Sequence, residues 1–148
     1  MGEIFNRCKI SNHGRHELHS HIVPGLYVQF DPVSLTSVLN NLIENAEKYS
    51  PAHSKINIEL APHENEGLVS LRVCDEGMGI SKEDKENIFQ KFYRVGNEET
   101  RSTKGTGLGL YIVKNIVNSQ GGEITVKNNS PKGSIFEIIL KRESPAVV

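Results

Sequence analysis

The sequence predicts a fold of the α+β class, and three observations predict it. One stretch repeats apolar residues at steps of three and four over about five helical turns. Several others alternate apolar and polar residues as half-buried strands do. The two patterns are interleaved with no internal repeat and no composition shift, so the 148 residues are expected to form one domain with a core that needs neither metal nor disulfide.

Residues 18–30 read as extended, with Val28 and Phe30 on alternate positions. Asp31-Pro32 then supplies an N-cap and a first-turn proline. From Leu35 the apolar positions Val38, Leu39, Leu42, Ile43, Ala46 and Tyr49 form one helical stripe, and Pro51 ends it. Ile56, Ile58 and Leu60 alternate with polar residues, a polar loop runs to Gly67, and Val69, Leu71 and Val73 alternate again, which reads as a hairpin. Ser81-Lys82-Glu83-Asp84 resembles a capping box and predicts a short helix carrying Ile88, Phe89 and Phe92. Residues 96–105 have little to bury and suggest a mobile lid. Residues 108–117 are apolar on more than one side and stop at Gly121-Gly122, which predicts a largely buried helix with a glycine cap. Ile124 and Val126, then residues 135–140, predict two last strands joined by a turn over residues 128–133.

Composition narrows the function classes. The formal charge is −1 and the Lys and Arg residues are scattered, so neither nucleic acid nor an anionic membrane is expected as a partner. Cys8 and Cys74 stand outside any motif and read as reduced thiols, which fits a cytoplasmic setting. No run approaches the roughly 18 apolar residues of a membrane span, and Asn6 stands where a myristoylation signal would need Ser or Thr.

Three groups of residues have chemistry to offer. On a helical wheel Asn41, Asn45 and Lys48 fall within about 60° of one another. Two amides and an ammonium on one edge are either an ordinary polar helix face or a set suited to Mg²⁺ and phosphate, since a carboxamide oxygen is a hard donor. Asp75 shares the strand parity of Val69, Leu71 and Val73, so its carboxylate points toward the buried side and needs donors there. An adenine amino group would serve, with Gly77 and Gly79 letting the backbone pass close to a flat base. An Asx-type turn, in which Asp75 bonds its own backbone, serves equally. Gly105-Thr106-Gly107-Leu108-Gly109 precedes a helix, where backbone N–H groups and the positive dipole end suit phosphate. It matches neither the P-loop nor the dinucleotide fingerprint.

Taken together these pieces resemble sensor histidine kinases. Asn40-Asn41-Leu42-Ile43-Glu44-Asn45-Ala46-Glu47-Lys48-Tyr49-Ser50 is similar to the N box, and Asp75-Glu76-Gly77-Met78-Gly79-Ile80 to the G1 box. Ile88-Phe89-Gln90-Lys91-Phe92-Tyr93-Arg94 is similar to the F box, and Lys104-Gly105-Thr106-Gly107-Leu108-Gly109-Leu110 to the G2 box. Order and spacing agree over residues 26–141, leaving 1–25 as a leading segment. The resemblance implies a Bergerat ATP-binding fold: a two-layer α/β sandwich whose mixed, mostly antiparallel sheet carries about three helices on one face. It implies ATP and Mg²⁺ as ligands. Asn45 would hold Mg²⁺, with Asn41 and Lys48 near the phosphates, Tyr49 against the base and Asp75 on the adenine amino group. Gly77, Gly79, Ile80 and Tyr93 would complete the nucleotide site. Arg94 would reach the γ-phosphate, and Lys104 with the glycine-box backbone would hold the phosphate chain. Asn41, Lys48 and Arg94 form the implied catalytic set, while Phe89 and Phe92 would pack under the lid.

Gyrase-like and Hsp90-like ATPases resemble this chain too, but they carry an acidic residue where Asn41 stands. An amide cannot accept a proton near neutral pH, so water attack on ATP is expected to be slow. The implied acceptor is a histidine on a dimerisation domain of the same kinase, with a response regulator downstream. His16-Glu17-Leu18 imitates the core of the H box, but the segment before the N box is too short for a dimerisation helix pair, so no phosphoacceptor is expected here. His16, His19 and His21 lack a Cys or carboxylate cluster for a metal and read as exposed strand histidines. A nucleotide-binding interaction module without phosphotransfer and an anti-sigma-type serine kinase are the alternatives.

Overall fold

The computed structural model describes residues 16–93 and 108–143. A six-stranded sheet carries the helices on one face. In chain order the elements are β1 (Glu17–Ile22), β2 (Tyr27–Val28), α1 (Pro32–Tyr49), β3 (Lys55–Pro62), β4 (Leu68–Cys74), α2 (Lys82–Asn87), α3 (Gly109–Ser119), β5 (Glu123–Asn128) and β6 (Ser134–Glu143). The strands run β1-β3-β4-β6, with β5 along β6 and β2 on its far end. Only β1 with β3 is parallel among these pairings, so the sheet is mixed and mostly antiparallel as expected.

The long helix begins and ends where its punctuation requires. Asp31 Oδ2 accepts the Ser34 N–H at 2.9 Å, Pro32 occupies the first turn, and Ser50 caps the end just before Pro51. Leu35, Val38, Leu39, Leu42, Ile43 and Ala46 are buried against the sheet and α3. Each large side chain among them contributes roughly 1.5–3 kcal/mol relative to exposure. From the sheet, Ile56, Ile58, Val69, Leu71, Val73, Phe136 and Ile138 meet them in one core.

Three expectations are corrected, and one, that of the leading segment, is extended. Part of the leading segment belongs to the sheet: β1 pairs with β3 from Glu17↔Lys55 to Ile22↔Leu60, and Leu18 enters the core. The extended run of residues 18–30 is therefore two strands, broken at Gly25, whose φ of +81° suits a turn. The capping-box helix forms, with Ser81 Oγ accepting the Asp84 N–H, but it stops at Asn87. Beyond it Gln90 N–H bonds Asn87 O and Tyr93 N–H bonds Gln90 O, three-residue closures in place of helical ones. Phe89 still reaches the core, edge-on to Phe136 at 6.2 Å, whereas Phe92 sits at φ +66° and is 61% exposed. Lastly, α3 is half-buried: Val113 and Val117 are covered and Ile112 is exposed, because one helical layer offers packing on one side only. Its glycine cap is as expected, with Gly121 at φ +79° and the Gly122 N–H on Val117 O at 2.9 Å.

The histidine expectation divides. His19 and His21 are exposed on β1, but His16 is buried beside the end of α1, its Nε2 3.3 Å from Ser50 O. No group of three or more potential metal ligands occurs among the described residues. No described helix is long and apolar enough to cross a membrane.

Candidate functional site

A cleft of about 320 Å³ opens between α1 and the loop that follows β4. Asn45 and Tyr49, one helical turn apart, supply one wall. Asp75, Met78, Gly79 and Ile80 supply another, and Ile88 and Ser134 line it too among the described residues. The lining is mainly apolar with a few convergent polar groups, as small-molecule sites are.

Among the described residues Asp75 is the one carboxylate in that lining, and it is 3% exposed. It follows directly on β4, and the ladder to β6 continues through its N–H to Ser134 O at 2.9 Å. Its Oδ1 accepts the N–H of Gly77 at 2.8 Å and that of Ser134 at 3.1 Å. The Asx-type turn is thus present, and Asp75 lines the cleft as well, so the turn does not exclude a contact with a ligand there. Burial pushes the Asp75 carboxyl above its ordinary value, while the Gly77 and Ser134 N–H groups and the Ser50 hydroxyl favour the charged form.

The glycines after Asp75 serve close approach. A Cβ on Gly77 would stand 2.4 Å from the Tyr49 carbonyl oxygen, so only glycine lets the loop lie against the end of α1. Gly79 adopts φ +78°. Asn41 stands one turn before Asn45, outside the cleft lining, with its Nδ2 donating to Ser37 O at 2.9 Å. Its Oδ1 lies 3.2 Å from where a Cβ on Gly109 would be, so α3 begins directly against this amide. Among the described residues no side-chain hydrogen bond caps α3 at Leu108, and Leu110 packs against the core. Lys48 holds its ammonium 5.5 Å from the Tyr49 ring centroid. Tyr93 donates its hydroxyl to Asp84 and is not part of the lining.

Of the residues singled out from sequence, Asn45, Tyr49, Asp75, Gly79 and Ile80 converge on the cleft. Asn41, Lys48, Gly77, Leu108, Gly109 and Leu110 are not among its described lining residues; Gly77 lets the loop meet the end of α1, and Gly109 lies against Asn41. Arg94, Lys104, Gly105, Thr106, Gly107 and the expected lid lie outside the described residues. Three lining residues went unassigned. Met78 and Ile88 stood inside recognised boxes with no role given, and Ser134 follows a turn glycine with no local signal of its own.

A two-layer sandwich with its cleft between the long helix and the loop after a central strand defines a class of nucleotide-binding ATPase domain, and the comparisons with known proteins agree. The sequence pattern of the histidine kinase-, DNA gyrase B-, and HSP90-like ATPases matches residues 30–144. The chain belongs to this family, as a catalytic and ATP-binding domain of the histidine-kinase type. It is similar to the sensor histidine kinase WalK of Bacillus subtilis, 43% identical over 115 residues that are 78% of this chain and 19% of that protein. It is similar also to the sensor protein CiaH of Streptococcus pneumoniae, 40% identical over 116 residues, 78% of this chain and 26% of CiaH. The chain therefore spans about a fifth to a quarter of the length of these curated relatives. Among solved structures, a mycobacterial sensor histidine kinase, MprB, superposes with a TM-score of 0.82 at 28% identity, covering 97% of this chain and 95% of that one. The catalytic domain of the histidine kinase ThkA does so at 0.78 and 26% identity, covering 96% and 92%.

Proposed function

We propose that this chain binds ATP with Mg²⁺ and serves as the catalytic domain of a two-component sensor histidine kinase. The observation that carries the reading is the convergence of Asn45, Tyr49 and Asp75 on one cleft. Asp75, buried at the cleft wall, accepts from the adenine amino group, and Tyr49 packs against the base. The Asn45 carboxamide, on the same cleft, fits a hard divalent cation that shares its shell with water and phosphate. When bound, Mg²⁺ neutralises phosphate charge. Asn41 and Lys48 lie toward the phosphates, and the start of α3 at Leu108, Gly109 and Leu110 supplies backbone donors. Arg94, Lys104, Gly105, Thr106 and Gly107 complete the phosphate site, with Arg94 on the γ-phosphate.

With an amide at Asn41 that position offers no base to activate water, so phosphoryl transfer awaits a better nucleophile. That nucleophile is a histidine imidazole on the dimerisation domain of the same kinase: its nitrogen bonds the γ-phosphorus as the bond to the β-phosphate oxygen breaks, and ADP leaves. A response regulator then takes the phosphoryl group. The domain works in the cytoplasm without itself touching nucleic acid or membrane.

Calorimetric titration with ATP and a non-hydrolysable analogue, with and without Mg²⁺, tests the reading. Addition of a histidine-bearing dimerisation domain and radiolabelled ATP completes the test. Mg²⁺-dependent binding, slow hydrolysis and acid-labile label on the added domain are expected. Binding without transfer would leave a nucleotide-binding interaction module, and acid-stable label on a serine substrate would point to a serine kinase.

A further inference from the structure

We propose that the turn between β5 and β6 positions the base-recognition end of the cleft, with Asn129 and Asn128 as its two positioning residues. The inference rests on the ATP reading above and adds residues that none of the recognised boxes contains.

Asp75 is held on three sides by this turn and the first residue of β6. Its N–H donates to Ser134 O at 2.9 Å, its Oδ1 accepts from Ser134 N–H at 3.1 Å, and its carbonyl accepts from Asn129 Nδ2 at 2.9 Å. The Asn129 amide is itself fixed at both ends, since its Oδ1 accepts the Ser130 N–H at 2.9 Å. The Asn129 N–H closes the turn on Gly133 O at 2.9 Å. Gly133 leaves no slack: a Cβ there would stand 1.9 Å from the Asp75 carbonyl oxygen. Asn128 grips the other end of the same loop. Its Oδ1 accepts the Ile80 N–H at 3.3 Å and lies 3.4 Å from where a Cβ on Gly79 would be.

Two consecutive amides thus set the two ends of the Asp75-to-Ile80 loop, the first at Ile80 and the second at Asp75. Neither lines the cleft, whereas Asp75, Gly79, Ile80 and Ser134 do. Their effect on a ligand passes through those groups. A hydrogen-bonding site tolerates little displacement, because a base whose amino group loses its acceptor forfeits most of the site's discrimination. The hydrogen bonds of Asn128 and Asn129 reach the loop after β4, so the influence of the turn should fall on the base and not on the phosphates.

The test compares three ligands on the unmodified chain, Asn129→Ala and Asn128→Ala, namely ATP, adenosine and inorganic tripolyphosphate with Mg²⁺, and adds GTP as a fourth for base selectivity. For Asn129→Ala, ATP and adenosine should weaken by the same factor, about tenfold, with tripolyphosphate unchanged and the ATP-to-GTP preference compressed. Asn128→Ala should show the same pattern more weakly. A general loss of structure would weaken all three ligands together, and a turn without influence would weaken none; either result overturns the proposal. Should Asn129→Ala fail to fold, Asn128→Ala carries the comparison, because its side chain is exposed and leaves no buried group unpaired. An unmodified chain that binds tripolyphosphate but neither adenosine nor ATP would instead refute the base-site reading on which this rests.

Discussion

The loop after β4 is pressed against the end of α1, with Gly77 so near Tyr49 that a Cβ on the first would stand 2.4 Å from the carbonyl oxygen of the second. That oxygen is main chain and cannot swing aside as a flexible side-chain end would. Gly77→Ala must therefore push the loop off the helix, at a cost of about 1–3 kcal/mol typical of overpacking. The same shift lengthens the Gly77 N–H bond to Asp75. We expect a lowered melting temperature together with weaker ATP binding, read by thermal unfolding and calorimetry. A variant as stable as the parent would mean that the two segments separate without cost.

On the opposite face of the sheet, Glu137 accepts from the Ser70 hydroxyl at 2.7 Å and from the Arg72 guanidinium, and is 9% exposed. Burial alone would raise its carboxyl, but the Ser70 and Arg72 contacts outweigh it and hold the group below its ordinary value of 4.5. A depressed carboxyl stabilises the fold above its unfolded value, and that stability is lost as pH falls through the folded value. Glu137→Gln should cost about 1–2 kcal/mol at pH 7, less than a fully buried pair because Arg72 is partly exposed. Urea melts across the acid range should show parent and variant converging below the depressed value. A difference independent of pH would remove the ionic contribution.

The long helix was legible from end to end because its signals are local: a capping Asp31, Pro32, one apolar stripe and Pro51. The hairpins were legible for the same reason, alternation on either side of a loop. What stayed hidden depends on partners distant in sequence. Nothing in Glu17 to Ile22 announces a parallel partner in β3, and nothing near His16 announces burial against Ser50. Asp75 was found by strand parity, yet the Asn129 amide that holds its carbonyl lies 54 residues away. Phe92 was expected on the short helix with Ile88 and Phe89, and the turn that exposes it is set by backbone closures at Gln90 and Tyr93 that no apolar periodicity records.

Cys74, on β4, is buried, and burial, with the Glu59 carboxylate beside it, pushes its thiol up to about 12. At pH 8 about one molecule in ten thousand then carries the reactive thiolate, by the four-unit gap. In a Cys8→Ser background, thiol labelling of the native protein should be orders of magnitude slower than in denaturant. Its rate should follow the opening of the sheet as urea is added. Fast labelling in native buffer would show that β4 is exposed far more often than its packing implies.

Asp75 carries a cost that the proposed adenine contact would explain. Because folding raises its carboxyl above the ordinary 3.8, the ionised group opposes folding: its contribution is best below the unfolded value and declines as pH rises through the raised one. Asp75→Asn removes that burden while keeping an oxygen that can accept from Gly77 and Ser134. The variant should melt at or above the parent temperature near neutral pH, and the excess should shrink as the buffer is made acidic. ATP affinity should meanwhile fall by about tenfold or more, since a charge-assisted acceptor for the adenine amino group is replaced by a neutral amide. Stability and binding thus move in opposite directions at one residue, the trade expected of a carboxylate buried for a ligand and not for the fold. Near-normal ATP binding by calorimetry would remove the adenine assignment, and a lowered melting temperature would return Asp75 to the structural residues of the turn.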